Sequence, residues 1–485
     1  TIVPAWEQKK KPARVNYFDA FPDVPMEQRH NYKITDDNLG HGGAKAKFRA
    51  NMEAINLLHE LEFDGRLATP EEQEILSRYV GWGSLDAAFK EHNPGWENEF
   101  IELYTTLSPE EYESARATTL NAHYTSPAVI KAIYKAVDNM GFKSGNILDP
   151  GCGIGNFQGL LPDSMSDSKV YGIEIDPITG RIAQQLYQKN SIAIQGYEKT
   201  SLPDSFFDLA IGNVPFGSYG VIDKKYDKHK FHIHDYFFAK TLDKVRPGGV
   251  IAFVTSSWTL DKQNPTVRKY IAQRAEFLGA IRLPNNAFLA NAGTQVTTDI
   301  LFLQKRDRQI DLAPDSPSAE WIHLDQTPDA GNPGESIAVN AYFANHPEMI
   351  LGTMGRESGT RMYGNENSTT CIPFPDRELS DLLEEAIQNI HAEITEYERM
   401  DAEQEDPAVI SEAGGYLRHV HLAMPKGRVY PKELNEYGYK PFIDNLKKID
   451  YSYRVSIEAF SDRFREDAEL SLQFLKNNFM DGVRT

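Results

Sequence analysis

Residues 146–157 read NILDPGCGIGNF, and this stretch decides the fold. Its apolar beginning predicts a buried β-strand, which ends in a turn that carries glycine at every second position. Glycines in such a turn let the backbone approach a nucleotide-like ligand closely, and the start of a following helix leaves amide groups free to bind it. The pattern therefore predicts a ligand-binding turn inside an α/β domain.

Outward from this turn, short apolar runs alternate with helical stretches from about Thr125 to Arg308. This alternation is typical of a parallel sheet covered by helices, so we expect a Rossmann-like, seven-stranded, mostly parallel sheet. Helices are expected at 177–188 and 235–245, and the RPGG run at 246–249 predicts a stop after the second. The seven candidate strands are Ile147–Leu148, Val170–Ile175, Ile192–Ile194, Leu209–Ile211, Val250–Val254, Leu278–Ile281 and Ile300–Leu303.

The flanking segments suggest four regions. We expect a mainly helical region at 1–110, the α/β domain at 111–308, a loop-rich linker or subdomain at 309–375 and a helical region at 376–485. Capping-box signals begin helices at Thr69 and Ser108. A second amphipathic helical stretch is expected at 455–479. Because the chain begins at Thr1 rather than Met, we expect a processed protein or a piece of a longer one. The acidic helix predicted after residue 376 carries an apolar stripe formed by Leu379, Leu383, Ile387, Ile390, Ile394 and Tyr397.

Composition limits the classes of function. The chain has 485 residues and a formal charge of −19, which argues against indiscriminate binding of nucleic acid. Residues 222–308 nevertheless carry 15 Lys and Arg against 8 Asp and Glu, whereas 376–412 carry 2 against 13, so a polyanion would bind only at a local patch. No apolar run approaches the roughly 18 residues of a membrane span, and two cysteines cannot build a disulfide framework. We expect a cytoplasmic protein.

The residues around the turn indicate the ligand. Asp149 would repel a pyrophosphate but suits a cationic ammonium group. Glu174 ends the next predicted strand, 21 residues after Gly153, where a carboxylate can accept both ribose hydroxyls while Ile175 lies against an adenine face. An amino-acid-bearing nucleoside such as S-adenosylmethionine fits, held by Asp149, Glu174, Ile175 and the glycines Gly151, Gly153 and Gly155.

Residues 208–217 read DLAIGNVPFG and end the fourth predicted strand. Ligands of an open parallel sheet meet the carboxyl ends of its strands, so Asn213 is expected to face the same crevice as the glycine turn. This stretch resembles the Asn/Asp-Pro-Pro-Tyr/Phe motif of the amino-methyltransferases, although Val214 stands where Pro is usual. The resemblance implies that Asn213 and the Val214 carbonyl accept hydrogens from the substrate amine, that Pro215 shapes the turn and that Phe216 stacks on the substrate ring.

Further matches resemble γ-class adenine methyltransferases and type I modification subunits. Tyr124 and Thr125 lie in a segment that, in this class, covers the methionine end of the cofactor. Glu198 follows the third strand, where the class binds the cofactor adenine. Phe288 is the candidate that holds an extruded base against Phe216. Lys224 and Lys225, in the basic stretch, are candidates for contacts with phosphates.

The resemblance implies a DNA adenine-N6 methyltransferase that flips its target base out of double-stranded DNA. Residues 43–89 resemble the methyltransferase region of large helicase–methyltransferases of phages and conjugative elements, which implies a helicase domain or a specificity subunit as partner. Three alternatives stay open: methylation of RNA adenine, methylation of protein glutamine, and a non-catalytic cofactor- or DNA-binding module of an anti-restriction complex. The run with His229, His232, His234 and Asp235 suits a helix start better than a zinc site, so no metal is expected.

Overall fold

A computed structural model describes residues 19–37, 40, 42–83, 85–119, 125–289, 295–312, 317–356, 369–394, 410, 419–422, 439–451, 454–457 and 464–479. The chain divides into two compact units, Thr1–Thr395 and Glu396–Thr485. Among the helices in these ranges, each is too short or too polar to cross a membrane.

A seven-stranded sheet forms the centre of the first unit. Its strands are β1 (Asn146–Asp149), β2 (Lys169–Glu174), β3 (Ser191–Ile194), β4 (Phe207–Asn213), β5 (Val245–Ser256), β6 (Ala275–Leu283) and β7 (Thr298–Lys305). The strand order is β3-β2-β1-β4-β5-β7-β6, and only β7 runs antiparallel to its neighbours. The predicted seven-stranded, mostly parallel sheet is therefore confirmed. Side chains on both faces are buried because helices cover the sheet on either side.

The RPGG run at 246–249 differs from its prediction. The preceding helix ends at Lys244, as expected, but β5 begins at Val245 and includes the whole run. The register between β4 and β5 shifts there, because Phe207 pairs with Val245 while Leu209 already pairs with Val250. The extra residues of β5 therefore form an irregularity in the strand rather than a turn. Arg246 Nε stabilises this irregularity by donating a hydrogen bond to Asp208 Oδ1 on β4 at 2.6 Å.

The helices of the first unit follow local signals closely. Both predicted capping boxes are present, since Thr69 and Ser108 each accept from the backbone amide three residues later. The helices are α1 (Ala44–Asp64), α2 (Pro70–Leu76), α3 (Glu97–Thr106), α4 (Pro109–Thr118), α5 (Pro127–Asn139), α6 (Asn156–Gly159), α7 (Pro177–Leu186), α8 (Ile233–Lys244), α9 (Trp258–Asp261), α10 (Thr266–Ala272), α11 (Ala341–Asn345) and α12 (Leu379–Ile387).

The segment after the sheet contains more structure than the predicted linker. Two antiparallel hairpin pairs lie there, β8 (Leu324–Pro328) with β9 (Ser336–Asn340) and β10 (Gly352–Arg356) with β11 (Thr369–Pro373). Their apolar residues join the core of the first unit, as Val339 and Cys371 show by their complete burial.

The predicted stripe after residue 376 belongs to this unit as well. Helix α12 packs on α5 and ends at Ile387, while Ile390 and Ile394 remain buried without helical backbone. The amide of Ile394 donates to Met140 O at 2.7 Å, which takes the chain out of the helix. The expected boundary at 375/376 therefore lies inside the first unit, and Tyr397 lies outside the described residues.

The second unit holds the parallel pair β12 (His419–Leu422) and β13 (Arg454–Ile457) and the helices α13 (Tyr439–Lys448) and α14 (Phe464–Phe479). Tyr439, Ile443 and Phe474 form its small core. The helix expected across 455–479 is thus a strand followed by a helix.

Candidate active site

A cleft of about 400 Å³ lies where β1, β2, β3 and β4 end at their carboxyl ends. This volume is within the range of small-molecule sites, and the position is where open parallel sheets bind ligands. The cleft brings together most of the residues that the sequence singles out: Thr125, Gly151, Gly153, Glu174, Ile175, Glu198, Asn213, Val214, Pro215 and Phe216.

Five other predicted residues do not line the cleft. They are Asp149, Gly155, Lys224, Lys225 and Phe288. Tyr124 lies outside the described residues.

Glu174 connects the end of β2 to the glycine turn. Its carboxylate accepts from the amide of Gly153 at 2.9 Å and from the amide of Asp176 at 2.8 Å. Burial raises the pKa of Glu174 to about 7. Each carboxylate oxygen retains acceptor capacity for a ligand hydroxyl, and the neighbouring Ile175 side chain is 69% exposed on the cleft wall. This pairing of an acceptor with an apolar surface suits a ribose and its base.

Asp149 lies fully buried beside the turn rather than in the cleft wall. Neither of its carboxylate oxygens has a side-chain partner within the described ranges. Burial raises its pKa to about 8 although the Gly151 amide lowers it, and the charge of Glu174 adds to the rise. Gly212 makes room for this carboxyl, because a Cβ at that position would meet Asp149 Oδ1 at 2.6 Å. Asp149 is buried and Glu174 is half-buried, and within the described residues neither forms an ion pair with a cationic side chain. Such a pair of acids fits a ligand that brings its own positive charge, as S-adenosylmethionine does.

Gly155 packs against Tyr187 and does not line the cleft. Its φ is +88°, and a Cβ there would overlap the ring of Tyr187, which is itself buried. The third glycine therefore permits close packing of the turn on α7 and its end.

Replacing Gly155 with Ala is expected to destabilise the first unit by about 1–3 kcal/mol, because the left-handed backbone and the Tyr187 ring both oppose a side chain. Denaturant unfolding measures the loss. Gly43→Ala is the matched control, since no atom lies within 4 Å of a Cβ at that position. Equal stability of the two variants would contradict this role of Gly155.

Asn213 and its neighbours meet the glycine turn directly. A Cβ on Gly151 would lie 3.6 Å from Asn213 O and 3.7 Å from the Pro215 ring. The amide of Val214 donates to Val254 O at 3.1 Å and its side chain is buried. A proline at this position has no N–H group and could not make this hydrogen bond. With Val214, the bond to Val254 connects the backbone of the motif to β5.

The N-terminal helices supply a wall of the cleft that sequence reasoning missed. Gly81, Ser114, Ala117 and Thr118 line the cleft, and Ser114 Oγ donates to Asp176 Oδ1 at 2.6 Å. Arg181 pairs with Glu62 and Glu111, which fastens α1 and α4 to α7. Gly81 lies in the 43–89 segment that carries a resemblance, but no motif marks Ser114, Ala117 or Thr118, because they reach the cleft only through the packing of separate helices.

Aromatic side chains of the cleft were also missed in part. Tyr197 and Phe237 line the cleft with their ring centroids 5.0 Å apart, and Tyr219 lines it near Phe216 in sequence. Phe288, in contrast, is 1% exposed and belongs to the core.

The basic excess of 222–308 is largely used within the protein. Lys225 pairs with Asp204 and Asp243, while Lys224 is exposed outside the cleft. Five further cations of this stretch form ion pairs within the protein: Lys240 with Asp223, Lys244 with Asp204, Arg246 with Asp208, Lys262 with Asp235 and Arg282 with Asp299. The surface patch available to a polyanion is therefore smaller than the count of charges suggests.

The histidine run has no metal-like arrangement. His234 lies 3.4 Å from Asp235 and 3.3 Å from Lys262 Nζ, and burial lowers its pKa to about 4. In the described part of the chain, no group of three or more His, Cys, Asp or Glu is placed to hold an ion.

Comparison with known families agrees with this site. A family profile described as "Methyltransferase domain" matches residues 148–215, which include the glycine turn, Glu174 and Asn213. The chain contains a methyltransferase domain. The seven-stranded, mostly parallel sheet of this domain is Rossmann-like, and S-adenosylmethionine is the cofactor of methyltransferase domains of this kind.

Curated relatives extend the likeness. Defense against restriction protein B of Escherichia phage P1 is 29% identical over 267 residues, which are 54% of this chain and 10% of that protein. Type II methyltransferase M.CvrRI of Paramecium bursaria Chlorella virus XZ-6E is 24% identical over 218 residues, 44% of this chain and 54% of that protein. This chain therefore spans about a tenth of the first relative and about half of the second.

Among solved structures, a protein of Listeria monocytogenes assigned to the class I S-adenosylmethionine-dependent methyltransferases is similar to part of this chain. It is 17% identical, with a TM-score of 0.35, and the match covers 56% of this chain and 90% of that protein.

Proposed function

We propose that this chain transfers a methyl group from S-adenosylmethionine to the N6 amine of an adenine in DNA, as γ-class enzymes do. The observation that carries the proposal is the position of Asn213, Val214 and Phe216 on the cofactor cleft, directly beside Gly151. The resemblance to amino-methyltransferases supports an amine as the acceptor of the methyl group. Similarity to a defence protein against restriction and to a type II methyltransferase supports DNA as the substrate.

The residues of the cleft have separate roles in binding the cofactor. Glu174 accepts the ribose hydroxyls, and the backbone of the turn at Gly151 and Gly153 lies along the ligand. Ile175 lies against the adenine of the cofactor, with Glu198 beside that ring and Thr125 at the methionine end. Asp149 supplies a negative charge below the turn. Bound S-adenosylmethionine supplies an electrophilic methyl group.

Asn213 Oδ1 and the Val214 carbonyl make the substrate amine a better nucleophile. The lone pair of an adenine amino group is delocalised into the ring, which makes the nitrogen a poor nucleophile. Two acceptors that hold both N–H bonds out of the ring plane localise the pair toward the methyl group. The Val214–Val254 hydrogen bond keeps the second acceptor in place, so the site is organised before the substrate arrives.

The substrate adenine must leave its duplex to reach this cleft. Extrusion of the base costs a few kcal/mol of unstacking, which contacts in the cleft must offset. Phosphate contacts by exposed cations such as Lys224 would position the strand. A specificity subunit or a helicase domain would complete target recognition in the cytoplasm.

A protein substrate is the second candidate. The net charge of −19 and the internal pairing of many cations favour it over a long polyanion. Glutamine presents a similar planar amide nitrogen, so the same residues of the cleft would act on it.

Transfer of a labelled methyl group to mixed-sequence DNA, RNA and a protein extract tests the proposal, with the products hydrolysed and identified by mass spectrometry. N6-methyladenine in DNA is expected, and Asn213→Ala should slow its formation by about 10²- to 10³-fold. Label in RNA or protein instead would change the substrate class and keep the roles of the cleft residues. Absence of label in all three would favour a cofactor- or DNA-binding module.

A further inference from the structure

We propose that Tyr219 is the second aromatic residue that stacks on the extruded adenine, in the role that the sequence suggested for Phe288. The inference rests on the proposed function, because it concerns the base on which the methyltransferase acts. The sequence predicted that Phe288 contacts the extruded base, but Phe288 is 1% exposed in the core and does not line the cleft. The second stacking residue is therefore expected elsewhere on the cleft wall.

Among the aromatic side chains that line the cleft, Tyr219 is distinguished by its large exposed fraction. Phe157, Tyr197 and Phe237 line it but are buried, so their rings already pack within the protein. Phe216 is half-buried and Tyr219 is 47% exposed. A base that enters from solvent can stack only on rings with an accessible face, and within the described residues of the cleft these are the two that provide one.

The backbone around Tyr219 is held in place. Ile233, at the start of α8, donates its amide to Tyr219 O at 2.7 Å, and His232 Nδ1 lies 3.3 Å from Gly217 O. A Cβ on Gly220 would lie 2.8 Å from Phe231 O, so this residue also packs closely on the segment before α8. Residues 217–220 are thus fastened to one end of a helix.

The ring of Tyr219 packs against Gly217. A Cβ on Gly217 would lie 2.7 Å from Tyr219 Cε1, so the ring lies over this glycine. Gly217 follows Phe216 directly, which places Tyr219 close to the residue proposed to stack on the substrate. A tyrosine side chain has only two torsion angles to fix, so it loses little conformational entropy when a base stacks on it.

Stacking on an aromatic side chain accepts any base, since every base has a π-face. Tyr219 is therefore expected to increase affinity for the extruded base without reading the sequence around it. Its loss should raise the KM for DNA by about 10- to 100-fold, the range that stacking on one aromatic side chain provides.

The test compares Tyr219→Ala, Tyr219→Leu and Tyr219→Phe on duplex DNA that the wild-type chain methylates. Phe63→Ala is the matched control, because Phe63 is a 92% exposed aromatic side chain on α1 outside the cleft. Steady-state methyl transfer gives KM and kcat, calorimetry gives the affinity for S-adenosylmethionine, and a duplex with 2-aminopurine at the target position reports stacking through its fluorescence.

Tyr219→Ala and Tyr219→Leu are expected to raise KM and to brighten the bound 2-aminopurine, with cofactor affinity unchanged. Tyr219→Phe and Phe63→Ala should behave as wild type, since the ring rather than the hydroxyl makes the stack. Wild-type KM and quenching in Tyr219→Ala would overturn the inference and leave the proposed function standing. A wild-type chain that methylates no adenine would overturn both.

Discussion

Asn213→Ala is expected to lower kcat for methyl transfer by about 10²- to 10³-fold while the affinity for S-adenosylmethionine changes by less than about threefold. Asn213 ends β4 on the cleft, next to the turn but outside the set of groups that face the ribose and its base. In the proposed function, its amide oxygen acts on the substrate amine, and this interaction matters most when the nitrogen attacks. Loss of an interaction made in the transition state lowers the rate without weakening the binding of the other ligand.

Two further variants sharpen the result. Asn213→Asp keeps an oxygen acceptor, and the amino-methyltransferase motif accepts Asp at this position, so it should recover part of the activity. Asn93→Ala removes a remote asparagine whose side chain donates to Ala87 O, and it should leave both quantities unchanged. Equal losses of rate and of cofactor affinity in Asn213→Ala would show that Asn213 shapes the fold of the cleft instead of gripping the amine.

Asp149→Asn is expected to weaken the binding of S-adenosylmethionine by about 10- to 100-fold and to make the cofactor-free chain more stable above pH 8. Asp149 is buried, and among the residues that the structure describes it has no side-chain partner, so its ionised form is costly until a cationic ligand binds. Asparagine keeps the shape and removes the charge. The variant therefore gains stability and loses the attraction to the ligand.

The direction of the pH dependence follows from the pKa of Asp149. Burial raises it to about 8, well above the usual value near 4 in an unfolded chain, and Glu174 is raised to about 7. Between these limits the folded state binds more protons than the unfolded state, so its stability falls as pH rises from about 4 to about 8. The loss is on the order of several kcal/mol for a shift of this size.

Thermal unfolding at pH 5 and pH 9, with and without S-adenosylmethionine, measures both effects. The wild-type chain should lose more stability across this interval than Asp149→Asn, and saturating cofactor should reduce the loss. Asp325→Asn, at an exposed position in β8, is the control and should follow the wild-type profile. Parallel pH profiles for Asp149→Asn and wild type would contradict an ionisable carboxyl with a raised pKa at this position.

Local sequence determined the elements of the fold. The seven strands, the glycine turn and the two capping boxes all depend on residues within a few positions of one another, so their patterns survive in the bare sequence. The meeting of Gly151 with Asn213 also followed, because the carboxyl ends of adjacent parallel strands share one edge.

Tertiary packing decided what the sequence could not. Ser114 lies on the cleft because α4 packs on α7, where Arg181 pairs with Glu111. Lys225 is exposed but pairs with Asp204 and Asp243. The burial of Phe288 and the exposure of Tyr219 likewise depend on distant segments that cover one ring and leave the other open. Periodicity identifies which residues are apolar or charged, but the partner of each one is set by contacts between segments far apart in the chain, where burial and charge pairing select a single arrangement.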